Sequence, residues 1–507
     1  MIDWRLLLPQ ISESNRMTLP SIDIRVIIAL AVLSLAQAPL TAQSGPPSDA
    51  ALAVQEAVVE TIASSEKSVV AIARVRRPAA GEAFTGEFRP DPFNRRGLSP
   101  ATPQPQPTDP DFVPNEYGTG VVVDRGGLIL TAYHVLGEDS DYYVTTHERK
   151  VYRAWIKGAD PRSDLAVLSI DAENLVPIEF GKADSLKKGQ IVIALGNPSA
   201  IARDGQASAS WGIVSNLSRK APPISGSAET TSKPTLHHFG TLIQTDTRLR
   251  LGTSGGPLLG LDGKMIGLNV ALAAADGYER GAGYAMAVDE TFRRAVDTLK
   301  TGGEVEYGFL GIRPSNLSVA EVHSGLHGIR VDRVVRGAPA DRFGVKAGDI
   351  VTAVSSKPIH EADGFVLAVG RLPVEAVARL SIIRNGRSRE IDITLSKYPV
   401  RGKKIVTSPV PDWRGIRVDY PTAVADSDQL VRGIETFYGE GVIVTDVVED
   451  SPAWSAGLRR GMLISEVDRK KVRTPREFLA AVSSKNGSVQ LGLADNETPQ
   501  RTIPPGS

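Results

Sequence analysis

The run Gly252-Thr253-Ser254-Gly255-Gly256-Pro257-Leu258 limits what this chain can fold into more than any other stretch. It fits Gly-x-Ser-x-Gly, a pattern that presents a reactive serine on a tight turn and that in one architecture leads from a strand into a helix. Here Pro257 follows the serine. Two apolar runs, Leu258-Leu259 and Met265-Ile266-Gly267-Leu268, then flank an Asp262-Gly263 turn. Short apolar runs around Asp-Gly predict a β-hairpin, so the serine is expected on β-structure and its partners must come from elsewhere in the chain.

Two upstream segments supply them. Thr131-Ala132-Tyr133-His134-Val135 closes an apolar strand, and Ser163-Asp164-Leu165-Ala166-Val167 opens another. His134, Asp164 and Ser254 compose a nucleophilic triad in which the imidazole deprotonates the hydroxyl and the carboxylate holds the imidazole. Their chain order is that of the chymotrypsin type. The alternative, an α/β-hydrolase, needs its histidine after the serine, which leaves His323, His327 and His360 in a segment that reads as a separate binding domain. Of seven histidines only His134 directly follows an apolar strand; His147, His237 and His238 lie in polar stretches and read as surface residues. Asp160, Asp164 and Asp171 are all candidate carboxylates. Asp164 is preferred because a strand starts right after it and would aim it, whereas the other two read as solvated. Gly252, Gly255 and Gly256 allow close approach of backbone to a ligand, as a hole of amides for an oxyanion requires.

A length of 507 residues predicts two to four domains. Acidic and basic residues number 58 each, so no basic surface recommends nucleic acid, and no glycine loop for phosphate is present. With no cysteine, disulfides, thiolate nucleophiles and cysteine zinc sites are excluded; neither a metal nor any other cofactor is expected. Arg25, the apolar run Val26 to Ala36 and the small residues up to Gln43 read as a signal peptide over 1–43, with Met17 as a possible start. That run is short for a membrane span, so export with cleavage is favoured over an anchor. Residues 50–63 predict an amphipathic helix and 68–75 a strand. The proline-crowded stretch 80–116 is expected as a long loop, with a regulatory or subunit-contact role as one option. From Gly118 onward short apolar runs with Gly, Asp and Pro between them predict a mainly β sandwich or barrel.

Taken together, Gly118-Thr119-Gly120-Val121-Val122, Leu130 to Val135, Ser163 to Leu168, Ala194-Leu195-Gly196-Asn197-Pro198, Gly212-Ile213-Val214-Ser215, Ile243-Gln244-Thr245-Asp246 and Gly252 to Leu258 give residues 50–300 a resemblance to the protease domain of the HtrA/DegP family. The resemblance implies a chymotrypsin-like double β-barrel, with His134 as general base and acid, Asp164 as its orienter and Ser254 as nucleophile. It also implies an oxyanion hole from the amides of Gly252, Thr253 and Ser254, and a substrate pocket walled by Leu249, Asn269, Val270 and Ala271 that favours a small or medium aliphatic residue. Three positions depart from the family pattern: Thr253 and Tyr133 stand where asparagine is usual, and Leu249-Arg250-Leu251 replaces Ile-Asn-Pro.

Beyond residue 300 the chain repeats itself. Gly328 to Val335 aligns without gaps to Gly441 to Val448, and the register continues through Pro339/Pro452, Gly344/Gly457 and Gly348/Gly461, which marks a duplicated domain. Met462 replaces the aspartate that stands at Asp349 in the first copy. Helices are expected over 362–372 and 475–482, the second with Thr474 as N-cap, Pro475 at N1 and Glu477 at N3. Both copies resemble PDZ domains, small α+β modules that add a peptide to a sheet edge and take its C-terminal carboxylate with loop amides. The loops would be Phe309-Leu310-Gly311-Ile312 and Trp413-Arg414-Gly415-Ile416. The expected layout is a first PDZ domain over 305–398, a linker over 399–411 and a second PDZ domain over 412–496; the charges of Lys397, Arg401, Lys403 and Lys404 in the stretch Ser396 to Pro411 read as a solvated run.

These expectations describe an exported, periplasmic or otherwise extracytoplasmic serine endopeptidase. It would act on unfolded polypeptides and bind peptide C-termini, and by resemblance would work as a trimer or larger cage. The competing reading is a peptide-binding chaperone or scaffold whose protease domain is silent or rarely activated.

Overall fold

The computed structural model describes residues 49–77, 114, 116–197, 205–221, 235–270, 283–410, 412–424, 440–494 and 500–506. The signal segment and nearly all of the proline-rich stretch therefore lie outside the described residues. The chain divides into two units between Glu56 and Ala57. Helix Asp49–Ser65 begins in the first and ends in the second, where the Thr61 hydroxyl donates to the Leu261 carbonyl at 2.9 Å.

Alternating and continuous apolar runs build the first barrel. Its strands are β1 (Val69–Arg76), β2 (Glu116–Val122), β3 (Leu128–Ala132), β4 (Ser140–Thr145), β5 (Val151–Asp160) and β6 (Leu165–Ile170). The order β5-β4-β1-β2-β3-β6 closes through β5–β6 pairing. β4 points Ser140, Tyr142 and Val144 inward in strict alternation, the pattern of a strand with one buried face. A second closed barrel follows from β7 (Ile191–Gly196), β8 (Ser208–Arg219), β9 (Leu242–Thr245), β10 (Pro257–Gly260), β11 (Met265–Val270) and β12 (Gly283–Ala287). The predicted hairpin after Ser254 is β10–β11, paired Leu258 to Gly267. Val121, Leu130 and Leu165 of the first barrel share one apolar cluster with Leu195, Leu268 and Met286 of the second. This is the chymotrypsin-like double barrel.

Two further domains repeat one topology. In the first, Ile312–Asn316, Ile329–Val334, Ile350–Val354, Val377–Arg384 and Arg387–Thr394 are neighbours in that order; in the second, Ile416–Asp419, Val442–Val447, Leu463–Val467, Val489–Leu493 and Gln500–Ile503 are. Even the irregularity in the first pairing recurs, at Arg313/Pro314 and at Arg417/Val418. The departure at Met462 has a local explanation. Buried Asp349 accepts the Lys346 amide and a two-pronged bond from Arg384, and at the equivalent turn the Met462 sulfur takes the Arg459 amide at 3.3 Å. Helix Pro475–Val482 has the expected bounds. Its Thr474 hydroxyl accepts the Glu477 amide, but Glu477 returns its carboxylate to the Arg473 amide rather than to Thr474, so the cap is only half of the box expected.

The segment expected as a solvated linker is structured. Strand Ile405–Val406 pairs with Ala159 and Gly158 of β5, and Lys404 pairs with Glu304. Lys397, 3% exposed, is ringed by Glu304, Glu306 and Asp419 at 2.8 to 3.0 Å, and these carboxylates hold its ammonium protonated well above the usual lysine range despite burial. Sequence composition suggested a charged surface because lysine is seldom buried unless several anions compensate it.

Candidate active site

Antiparallel pairing sets the first part of the site. β3 pairs with β6 through Ala132 and Leu165, so the turn that carries His134 and the residue just before β6 meet at the same end of the sheet. The Tyr133 amide donates to the Asp164 carbonyl at 2.8 Å, the His134 amide to Asp164 Oδ1 at 3.0 Å, and His134 Nδ1 lies 2.8 Å from Asp164 Oδ2. Asp164 adopts a left-handed φ of 57°, a cost that side-chain and main-chain bonds on both oxygens offset. Burial pushes the Asp164 carboxyl up, but His134 outweighs it and the net shift is downward, so Asp164 is ionised. For His134 burial opposes protonation, while the adjacent carboxylate overcomes it and raises the imidazole above its ordinary 6.5.

Ser254 enters from the second barrel, and Thr119 of β2 ties its loop to the first. The Thr119 amide donates to the Ser254 carbonyl at 2.9 Å and its hydroxyl to the Gly252 carbonyl at 2.6 Å. The same hydroxyl accepts the Asn197 amide at 2.8 Å, and the Thr119 carbonyl accepts from the Thr131 hydroxyl on β3. Thr119 thus links the nucleophile loop to the strand that presents His134. Gly255 allows this close packing: at φ 84° it lies where a Cβ would collide with the Thr119 carbonyl and the Thr131 hydroxyl. Thr119→Val keeps the shape but removes the hydroxyl that bonds the Gly252 carbonyl and the Asn197 amide in a buried site, and each such lost bond costs about 1–3 kcal/mol. A fall of about 2–6 kcal/mol in unfolding free energy is expected by denaturant titration, from that range for two bonds.

Several expected site residues do other work. The Thr253 amide donates to the Arg250 carbonyl at 3.0 Å and its hydroxyl to the same carbonyl at 2.7 Å, so this amide is committed inside the loop. Asn269 is fully buried and donates to the Leu195 and Pro257 carbonyls, tying barrel strands together, so it is a structural residue rather than an open pocket wall. Val270 is buried as well, Leu249 packs on the second-barrel core, and Ala271 lies outside the described residues. Asp160 is not solvated: it is 2% exposed, accepts from the Ser163 amide and hydroxyl and from the Tyr307 hydroxyl, and burial raises its carboxyl. Asp171 is exposed, as expected.

His237 and His238 are buried, contrary to their polar sequence context. They sit in the turn Leu236–Phe239, whose Leu236 amide donates to Arg162 beside Asp164, and nothing in the local pattern announces that docking. Arg162 in turn lies over the Tyr398 ring at 3.6 Å. The turn meets helix Ala362–Gly370 of the first repeat, with Gly370 beside Leu236 and an Arg371–Asp289 ion pair at 2.8 Å nearby.

The two peptide loops differ. In Phe309-Leu310-Gly311-Ile312 the Leu310 and Gly311 carbonyls accept from Ala340 and Val335, and Gly311 has φ 83°. In the second repeat the Gly415 amide donates to the Asp412 carboxylate at 2.9 Å and the Ile416 amide to the Trp413 carbonyl at 3.1 Å. Arg414 binds the Ile503, Pro504, Lys485 and Gly487 carbonyls. These residues close a turn on themselves, which corrects the expectation of a carboxylate-capturing loop at 414–416.

Comparison with known proteins agrees with this geometry. A trypsin-like peptidase domain is matched over residues 118–268, and PDZ domains over 308–395 and 443–491. A probable periplasmic serine endoprotease, DegP-like, from Chlamydia muridarum is 31% identical over 420 residues, 82% of this chain and 78% of the relative. The chain belongs to the HtrA/DegP family of serine endoproteases. A namesake from Pseudomonas fluorescens is 28% identical over 484 residues, 94% of this chain and 96% of the relative. Among solved structures, the HtrA-type protease AlgW with a tripeptide superposes with a TM-score of 0.50 at 22% identity, covering 67% of this chain and 97% of AlgW, a likeness of fold. The protease therefore carries a peptidase domain followed by two PDZ domains, in the order that its repeats imply.

Proposed function

We propose that this endoprotease cleaves unfolded polypeptides in the periplasm through Ser254, His134 and Asp164. The observation that carries the reading is the grip of both Asp164 oxygens on His134, at the backbone and at Nδ1, beside a Ser254 loop bonded to the same barrel through Thr119. With Nδ1–H given to the carboxylate, Nε2 is the basic nitrogen and takes the proton of Ser254 Oγ as it attacks the substrate carbonyl. The amides of Gly252 and Ser254 take the oxyanion. His134 then protonates the leaving amine, and water resolves the acyl-enzyme by the same route in reverse.

The first PDZ domain captures peptide C-termini on the loop 309–312, where a left-handed glycine turns successive N–H groups to one side. The second PDZ domain, with its loop amides engaged, contributes surface rather than carboxylate capture. The pocket prefers a small or medium aliphatic residue, and the working assembly is a trimer or larger cage. The periplasmic site rests on the names of the relatives and on the apolar run after Arg25. Among the described residues no helix is long and apolar enough to cross a membrane.

Unfolded casein should be degraded by wild-type protein and a folded globular protein spared. Wild type that digests neither, at any temperature or with an added C-terminal peptide, would favour the chaperone or scaffold reading. The pH profile carries a second expectation. His134 acts only when neutral and its pKa is raised above 6.5, so the acid limb of kcat/KM should lie above pH 6.5, with activity falling as pH drops through it. Initial rates on a peptide substrate between pH 5 and 9 measure this limb over the range where imidazole titrates.

A further inference from the structure

A second imidazole stands near the carboxylate of the proposed triad. His237 is 3% exposed; its Nε2 lies 3.9 Å from Asp164 Oδ2 with no atom in hydrogen-bond geometry, and the Ser163 backbone also faces the ring. Its Nδ1 lies 3.0 Å from the Thr241 hydroxyl. A cavity of about 30 Å³ adjoins the ring and is lined by Ser163, Thr241, Asp289, Phe292 and Arg371 among others. The titratable and charged groups around it are Asp164 and His134 of the first barrel, His238 on its own turn, and the Asp289–Arg371 pair across the cavity.

A neutral imidazole holds one proton, and these neighbours decide where it sits. Asp164 can only accept, whereas the Thr241 hydroxyl can donate or accept. The favoured tautomer therefore has Nε2–H pointing to Asp164 and Nδ1 accepting from Thr241. Burial keeps the ring in this neutral form by lowering its pKa to about 4. A buried nitrogen with no bond of its own is costly, and its placement beside an anion is the arrangement that recovers most of that cost.

We propose that His237 is a positioning residue of the catalytic carboxylate: its Nε2–H faces Asp164 Oδ2, the oxygen that also takes His134 Nδ1, fixes the carboxylate rotamer and tempers its field at His134. The role rests on the triad reading. Two consequences follow from the charges. Without the N–H dipole the carboxylate holds His134⁺ more tightly, so the acid limb of activity moves to higher pH. The carboxylate also gains freedom to turn, which slows the proton transfer from Ser254 without touching substrate binding.

The test compares wild type, His237→Leu, His237→Met and His237→Gln, with thermal unfolding recorded for each. Glutamine can place an amide N–H where Nε2 stands, whereas leucine and methionine keep bulk without the donor. The readouts are kcat and KM on a peptide substrate across pH and the rate of fluorophosphonate labelling at Ser254. In His237→Leu or His237→Met, kcat and labelling should fall about tenfold, no more than the lower end of the range for a hydrogen bond to a charged group, with KM unchanged and the acid limb shifted upward. His237→Gln should recover most of both. If the apolar variants are folded and keep the wild-type limb, or if glutamine recovers no more than they do, His237 only fills space and the proposal is overturned. If neither apolar variant folds, the glutamine variant decides alone: wild-type limb and rate support the role, and a loss as large as tenfold refutes it. Wild type that is not labelled at Ser254 would instead refute the triad reading itself.

Discussion

Replacing Ser254 with alanine should lower peptide hydrolysis by about 10⁴-fold or more, the size of loss found when a triad nucleophile is removed, while leaving the fold intact. The fold is spared because Ser254 contributes its carbonyl, not its side chain, to the bond from Thr119. The turn is held by the Gly255 amide on the Asn269 carbonyl and the Gly256 amide on the Thr253 carbonyl, both main-chain bonds that alanine keeps. Residual turnover would come from the oxyanion amides and from substrate positioning. Steady-state rates on casein or a short peptide, beside an unchanged unfolding midpoint, test both halves of the prediction. A variant that retained a tenth of wild-type activity would remove Ser254 from the chemistry.

Asp164→Asn should cost nearly as much, about 10⁴-fold in kcat, for a different reason. The carboxylate accepts two bonds, from the His134 amide and from His134 Nδ1. An amide side chain has one accepting oxygen. The backbone N–H can only donate, so the asparagine oxygen stays on it and the NH₂ group faces the ring. Nδ1 must then accept, the proton moves to Nε2, and the nitrogen that should receive the Ser254 proton is already occupied. Size and shape are nearly unchanged, so the unfolding midpoint should shift little while kcat collapses. Fluorophosphonate labelling should slow in parallel, since it needs the same deprotonation of Ser254.

The sequence made the barrels and the candidate triad legible for a physical reason. Strand ends fix direction: His134 follows β3, Asp164 precedes β6, and their pairing at Ala132 and Leu165 is written in two short apolar runs. The second repeat could be read from the first because Gly and Pro mark turns at equal intervals. What escaped reading depends on docking between segments far apart in the chain. His237 and His238 look polar and exposed until the turn 236–239 closes over the loop that carries Asp164. Lys397 and Lys404 read as a solvated run because their carboxylates come from residues 304, 306 and 419. The Thr253 amide and the loop at Arg414 escape sequence reading on a finer scale: which N–H groups of a glycine turn stay available is set by carbonyls and carboxylates a few residues away, Arg250 in one case and Asp412 in the other. Thr119 lies inside the run Gly118-Thr119-Gly120, but its role in joining the two barrels emerges only from four bonds converging on one residue.

The most direct measurement is mass spectrometry of the full-length protein after exposure to a fluorophosphonate. One adduct is expected, mapped to the peptide containing Ser254, absent in Ser254→Ala and strongly slowed in Asp164→Asn. An adduct on another residue, or equal labelling of Ser254→Ala, would contradict it.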